Sequence, residues 1–417
     1  MIAPDRIGRI QEALREENVA GWLLFDFHGT NPIARAVLGM AEGPTAPKTT
    51  RRWFYLVPAR GAPQKIVHRL EPRSLDHLPG DAHVYLTWQE LERSVAEVLG
   101  RLGVSAGSDG GASGVPDGRG PQVAMEYSPL ARLPYVSRVD AGTIELVRQA
   151  GARLVSSADL AQRFGGALEP AARADHRRTG ALVAGIIQGA FRRAQEAVRS
   201  GHPITETALQ RWMLEQFGAA GLVSSDPPTV AVNAHSGDPH FTTIVEHDQP
   251  IGRGDFLLID AWAKAGKPGA VYADYTHVAF LGASAPDRHR AIFDAVREAR
   301  DAAIARVREA LRAGQPIRGC DVDDAAREVI RARGHADRFV HRTGHSIAEE
   351  VHANGVHLDN LETRDERRLI EGTLVSVEPG IYLDEFGVRS EVNLLIDGGK
   401  AVVTPDPIQR EIAALLP

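Results

Sequence analysis

The sequence predicts two domains of different class: an α/β domain over residues 1–165 and an α+β domain over residues 166–417, where helices cover a largely antiparallel sheet. Three observations carry this reading. At 417 residues, the chain has room for two or three domains with full cores. Up to about Gly166, short apolar strand runs alternate with helical stretches. Beyond it, strand-like runs gather at 229–281 and 370–404, with helices between them.

Residues 5–18 place Ile7, Ile10 and Leu14 at helical spacing. Gly21 leads into WLLFDF, a buried-strand pattern, and WFYLV (53–57) and QKIV (64–67) are two more strands, with Gly61–Ala62–Pro63 as the turn. Residues 88–100 read as helix. The stretch from Ser105 to Pro121 is rich in Gly, Ser and Pro and reads as a loop or insert, too poor in apolar side chains to pack. Strand and helix signals resume at QVAMEY. A long helix is expected from about Pro170 to Ser200, ended by Gly201 and Pro203, and Thr205 offers a cap for a helix to about Phe217. Residues 286–312 open on Pro286 and set Ile292, Phe293, Val296, Ile304, Val307 and Leu311 on one face. A further helix is expected over 321–333.

Composition narrows the function. A net charge of −6 without a long basic run argues against nucleic acid as the main partner. The lone cysteine, Cys320, excludes a disulfide scaffold and thiolate metal clusters. No run of about 18 apolar residues occurs, so no membrane span is expected. Charges interrupt every apolar stretch of the first 27 residues, so no signal peptide is expected and the cytoplasm is the default location. Of 16 histidines, ten fall between His235 and His357.

In that histidine-rich region and just beyond it lie groups suited to metal chemistry. LLIDAW puts Asp260 at the end of an apolar strand, and VYADYTHVAF puts Asp274 in the next, across a turn-rich link that predicts a hairpin. TGHSIAEEVH supplies His345 and His352. Glu378 is set in TLVSVEP, where Pro379 favours an extended backbone. GVRSEV supplies Glu391 with Arg389 two residues earlier, a spacing that puts both on one strand face and lets the Arg hold the carboxylate. Acidic residues near hairpins and Arg–Glu strand pairs also occur as plain surface features. A glutamate inside an apolar strand is harder to explain so, because burying an unpaired carboxylate is costly. Four carboxylates and one imidazole suit two divalent cations such as Mn²⁺ or Co²⁺. Bridging carboxylates would set the ions about 3.5 Å apart around a shared hydroxide of lowered pKa. His240 and His352 are the candidate donors to a developing oxyanion.

The ordered set Asp260, Asp274, His345, Glu378, Glu391, joined by His240 in VAVNAHSGDPHF, resembles the pita-bread metallopeptidases of the prolidase and aminopeptidase P branch. The motifs LLFDFHGTNPIA and YVSRVDAGTIELV look like a bacterial Xaa-Pro dipeptidase subfamily. The resemblance implies a creatinase-like N-terminal domain and a pita-bread catalytic domain with a curved sheet. It implies Asp260 on one metal, His345 and Glu378 on the other, and Asp274 and Glu391 bridging. Glu378 would also shuttle the proton, and His240 and His352 would contact the substrate carbonyl. Arg389 would orient Glu391, with Tyr382 and Thr276 in support. It further implies a homodimer, Mn²⁺ ahead of Co²⁺ or Zn²⁺, and small peptides with proline in second place. An Arg or His from the N-terminal domain of a second subunit could anchor a substrate terminus; Arg35, Arg51 and His68 are the candidates, and each reads more readily as a solvated surface residue.

The chain departs from the family pattern at Ala348 (usually Gly), Ala353 (usually acidic) and His277 (usually Arg), and its gap from Asp260 to Asp274 is longer than usual. These changes are expected around the substrate pocket, and none removes a ligand. Alternatives are an aminopeptidase P acting on longer Xaa-Pro peptides and, more remotely, a non-catalytic peptide-binding module.

Overall fold

The computed structural model describes residues 4–40, 49–103 and 120–417. The expected loop at 105–121 falls, apart from its last two residues, outside them. The chain divides into two compact units, Met1–Gly165 and Gly166–Pro417.

The first unit runs α1 (Pro4–Glu16), β1 (Gly21–Asp26), α2 (Pro32–Val37), β2 (Trp53–Pro58), β3 (Gln64–His68), β4 (Asp81–Tyr85), α3 (Trp88–Gly100), β5 (Gln122–Met125), α4 (Ala141–Gln149), β6 (Arg153–Ser156) and α5 (Ala158–Ala161). Its strands form one mixed sheet, ordered β4-β3-β2-β1-β5-β6. The start of α3 is set by a full capping box, with Thr87 and Glu90 satisfying each other's backbone N–H groups. Ile7, Ile10 and Leu14 of α1 are buried.

The second unit holds α6 (Pro170–Arg199), α7 (Glu206–Ala219), β7 (Leu222–Val223), β8 (Thr229–Val232), β9 (Phe256–Ala265), β10 (Ala273–Phe280), α8 (Asp287–Arg312), α9 (Gly319–Ala332), β11 (Leu374–Val377), β12 (Gly380–Tyr382), β13 (Gly387–Arg389), β14 (Val392–Asp397), β15 (Lys400–Thr404) and β16 (Ala413–Ala414). Thr205 caps α7 by accepting from Ala208 N. β9 is the hub: it pairs antiparallel with β7, β8 and β10. β11-β14-β15 form a second antiparallel sheet and β12-β13 a short ribbon.

Alternation along β9 and β10 divides the core. Leu257, Ile259, Ala261, Tyr275 and Ala279 pack with Val183, Ile187 and Phe191 of α6. Leu258 and Val278, on the opposite face, pack with Phe293, Val296 and Val307 of α8 and with β11–β14. Side chains at 260, 262, 274 and 276 follow the parity of 258 and 278, so they turn toward β11–β14. That one rule positions the site.

Candidate metal centre

Asp260 lies in the middle of β9, not at a strand end as expected, because the strand continues to Ala265 through its pairing with β10 and β7. In register, Asp260 faces Thr276 and Trp262 faces Asp274. Glu378 follows β11 directly, and its N–H donates to Thr343 O at 2.7 Å. Glu391 sits in the break between β13 and β14, and its N–H donates to Thr276 O at 3.2 Å. His345 is held by Ser376: the backbone N–H of His345 donates to Ser376 Oγ at 2.8 Å, and that hydroxyl donates to Glu378 Oε1 at 3.0 Å. Gly344 passes so close to β11 that a Cβ there would meet Ser376 O at 2.0 Å.

The five expected ligands converge. His345 Nε2 lies 3.5 Å from Asp274 Oδ2 and 3.3 Å from Glu378 Oε1. Asp274, His345 and Glu391 offer ligand atoms within 4.8 Å of one another, a group able to hold a divalent ion. All five line a cavity of about 460 Å³, together with His240, His352, Arg389, Phe241 and Trp262. The His352 ring is 4.3 Å from that of His345.

Arg389 corrects the sequence reading. Its Nη2 donates to Asp260 Oδ2 at 2.5 Å, its Nε to Thr276 Oγ1 at 2.9 Å and its Nη1 to Tyr382 OH at 3.1 Å. Thr276 Oγ1 in turn donates to Glu391 Oε2 at 2.8 Å. The link from Arg389 to Glu391 therefore runs through Thr276, because β13 ends at Arg389 and the i, i+2 face is lost. His277 is also corrected. It lies on the α6 side of β10, buried beside Gln188 Nε2 at 3.4 Å, away from the carboxylates. Ala348 packs with Ile347 and Tyr272, and buried Ala353 donates its N–H to Ser346 O. None of the three departures lines the cavity.

Sequence reading missed several supports. His341 Nε2 lies 2.7 Å from Tyr382 OH, which extends the Arg389 network. Asn393 binds the backbone of Asp274. Both stand within the quoted motifs' immediate neighbourhoods, and only their spatial partners were illegible. Other clustered histidines are structural: His289 stacks on Phe386 at 3.8 Å, and His235 pairs with Glu206 at 2.9 Å. Of the anchoring candidates, Arg35 pairs with Asp26 at 3.6 Å, while Arg51 and His68 line a cavity of about 980 Å³ within the first unit.

The electrostatics call for cations. Four carboxylates face one guanidinium. Burial, then repulsion from Asp260 and Glu378, pushes Asp274 well above the ordinary range. Burial, then Asp274, does the same to Glu391. Burial raises Asp260 against the pull of Arg389. Burial also acts upward on Glu378, but His345, His341 and Arg389 outweigh it and leave it lowered. Burial lowers His345, favouring the neutral imidazole a metal needs. Asp260 Oδ1, Asp274 Oδ1 and Glu391 Oε1 are buried without a hydrogen-bond partner among the described residues. Acceptors left in this way fit a site built for metal, and oxygen and imidazole donors suit hard or borderline divalent ions.

Fold and site together define a metallohydrolase-like class of protein, with a carboxylate–imidazole centre on a pita-bread scaffold. The model of metallopeptidase family M24 matches residues 181–398, and the chain belongs to that family. A Xaa-Pro dipeptidase of Pyrococcus furiosus is 31% identical over 217 residues, covering 51% of this chain and 56% of that protein. A putative Xaa-Pro aminopeptidase of Mycoplasma pneumoniae is 27% identical over 205 residues, covering 48% and 52%. The chain thus spans about half the length of the curated relatives it matches. The crystal structure of dipeptidase PepE from Mycobacterium ulcerans shares the fold, with a TM-score of 0.65 and 22% identity over 99% of this chain and 97% of that one. No helix among the described residues is long and apolar enough to cross a membrane.

Proposed function

We propose that this protein hydrolyses the bond between a first residue and a following proline in dipeptides, with two divalent metal ions held by Asp260, Asp274, His345, Glu378 and Glu391. The observation that carries the reading is the set of three buried carboxylate oxygens without partners among the described residues, on side chains that line one cavity with His345, whose neutral form burial favours. The names of the relatives add the substrate class. Bound ions would supply a Lewis acid for the scissile carbonyl and a water acidified toward neutrality.

The chain's own residues do the rest. Asp274 and Glu391 would bridge the two ions, Asp260 would complete one, and His345 with Glu378 the other. Glu378 lies in the cavity with Arg389 Nε 4.0 Å from its Oε2, and as a carboxylate it would take the water's proton and pass it to the leaving imide nitrogen. His240 and His352 line the cavity and would donate to the carbonyl oxygen as charge develops. Arg389 fixes Asp260 directly and Glu391 through Thr276. We favour Mn²⁺ over Co²⁺ or Zn²⁺, a homodimer and a cytoplasmic setting.

The test is a substrate-length series on metal-stripped protein reloaded with each ion. Hydrolysis of Ala-Pro but not Ala-Pro-Ala is the expected result. Cleavage of the tripeptide would favour an aminopeptidase P. Absence of both metal uptake and hydrolysis would leave a non-catalytic peptide-binding module.

A further inference from the structure

We infer that Trp262 decides which first residues the site accepts; the inference rests on the Xaa-Pro peptidase reading. Trp262 is two positions beyond Asp260 on β9 and is the register partner of Asp274, so its side chain shares the face that carries both carboxylates. The indole lines the same cavity of about 460 Å³ as the five ligands, and no other lining side chain is as large. Behind it, Leu168, Tyr272, Ile347 and Val351 form a packed apolar group that holds the ring in place. Its Nε1 is buried and finds no hydrogen-bond partner among the described residues, whereas Nε1 of Trp22 donates to Glu126 at 2.6 Å. A buried donor left without a partner costs stability. The indole thus acts here as a ring packed at the cavity wall and not as a hydrogen-bond donor to the described residues.

The carbonyl of the scissile bond belongs to the first residue. With that carbonyl at the carboxylate cluster, the adjoining Cα and its side chain enter the same cavity, whose bulkiest wall is Trp262. A rigid wall there admits Gly and Ala and excludes Leu and Phe. Apolar walls discriminate by roughly 10–200-fold per methylene of misfit.

The experiment compares wild type, Trp262→Ala, Trp262→Leu and Trp262→Phe, each loaded with the same metal and with metal content measured on the same samples. The substrates are Gly-Pro, Ala-Pro, Leu-Pro and Phe-Pro. The expected result is a rise of about tenfold or more in the Leu-Pro to Ala-Pro ratio of kcat/KM for the Ala and Leu variants, with the Phe variant keeping the wild-type order. Trp262→Leu leaves a smaller hole and covers the case in which the Ala variant does not fold. An unchanged ratio, or a parallel loss on all peptides, overturns the inference. Calorimetric binding of the same dipeptides separates this failure from that of the peptidase reading. If wild type turns over none of them, a tenfold shift in the affinity ratio still supports Trp262 as the selecting wall, and no shift overturns it.

Discussion

Asn393 clasps the main chain of Asp274 from both sides: its Oδ1 accepts from Asp274 N at 3.0 Å, and its Nδ2 donates to Asp274 O at 2.8 Å. This pair joins β14 to β10 where no strand ladder does, and it brings Glu391 alongside Asp274. Asn393→Ala would leave two buried backbone groups unpaired, a cost of about 1–3 kcal/mol each before relaxation. Residues that orient metal ligands are typically worth 10–100-fold in metal affinity or activity. The expected outcome is a loss in that range of metal affinity, read by chelator competition. Asn393→Asp keeps the acceptor and should lose less than the Ala variant.

Among the described residues, Arg389 is the one arginine or lysine bonded within the carboxylate group, and Asp260 is its direct partner. Arg389→Met should therefore weaken the metal-free protein far more than the metal-loaded one, because removing one member of a buried pair strands the other charge. Such losses run to about 3–5 kcal/mol. The check is urea unfolding with and without saturating metal. The stabilisation conferred by metal should be larger in the variant than in wild type. Equal gains would mean that Arg389 serves the fold rather than the site.

Asp323 and Arg327 of α9 hold the segment that leads into the site. Asp323 accepts from Thr343 N at 2.9 Å and from Arg327 Nε at 2.6 Å, and Arg327 donates to the carbonyls of Phe339 and His341. The pair clamps the segment that carries His341 and leads into His345. Arg327→Met should raise amide exchange at 339–345 and lower kcat on Ala-Pro by about tenfold or more, with KM little changed, as a small misplacement of catalytic groups does. Arg327→Lys, which keeps charge but not the fork, should recover only part of the rate.

Much of the site was legible in sequence because its residues break local rules. Glu378 beside an apolar strand and Asp260 inside one are costly unless something compensates them. The hairpin that sets Asp260 opposite Thr276 and Trp262 opposite Asp274 was legible from the turn-rich link between the two strands. What was not legible depends on the path of the backbone between strands. The end of β13 at Arg389 broke the alternation that would have paired it with Glu391. The assignment of His277 to the substrate pocket failed on parity: it is one residue past Thr276, so it points to α6. Trp262 obeyed the same parity two residues beyond Asp260 and was overlooked. The partners of Asn393 and Arg327 lie 119 and 12–14 residues away, at distances that local pattern does not reach.

His277 should make the protein sensitive to acid. The ring is buried, and burial followed by the charge of Arg300 lowers its pKa to about 4. It faces Gln188 across a 3.4 Å contact and stacks near Tyr275, and its Nε2 has no hydrogen-bond partner among the described residues. In the folded protein the imidazole therefore stays neutral, while the unfolded chain takes up a proton below about 6.5. Unfolding gains protons in that window, so the stability contributed by this group is complete above pH 6.5 and is lost progressively down to about pH 4. The span corresponds to at most about 3 kcal/mol. His277→Leu removes the titrating group, whatever it does to stability at neutral pH. Urea unfolding at pH 7.5 and pH 5, on metal-stripped protein in both cases, should give a smaller pH-dependent loss for the variant. An identical loss would place the acid sensitivity in other buried histidines, among them His176, His341 and His352, each of which burial likewise lowers to about 4.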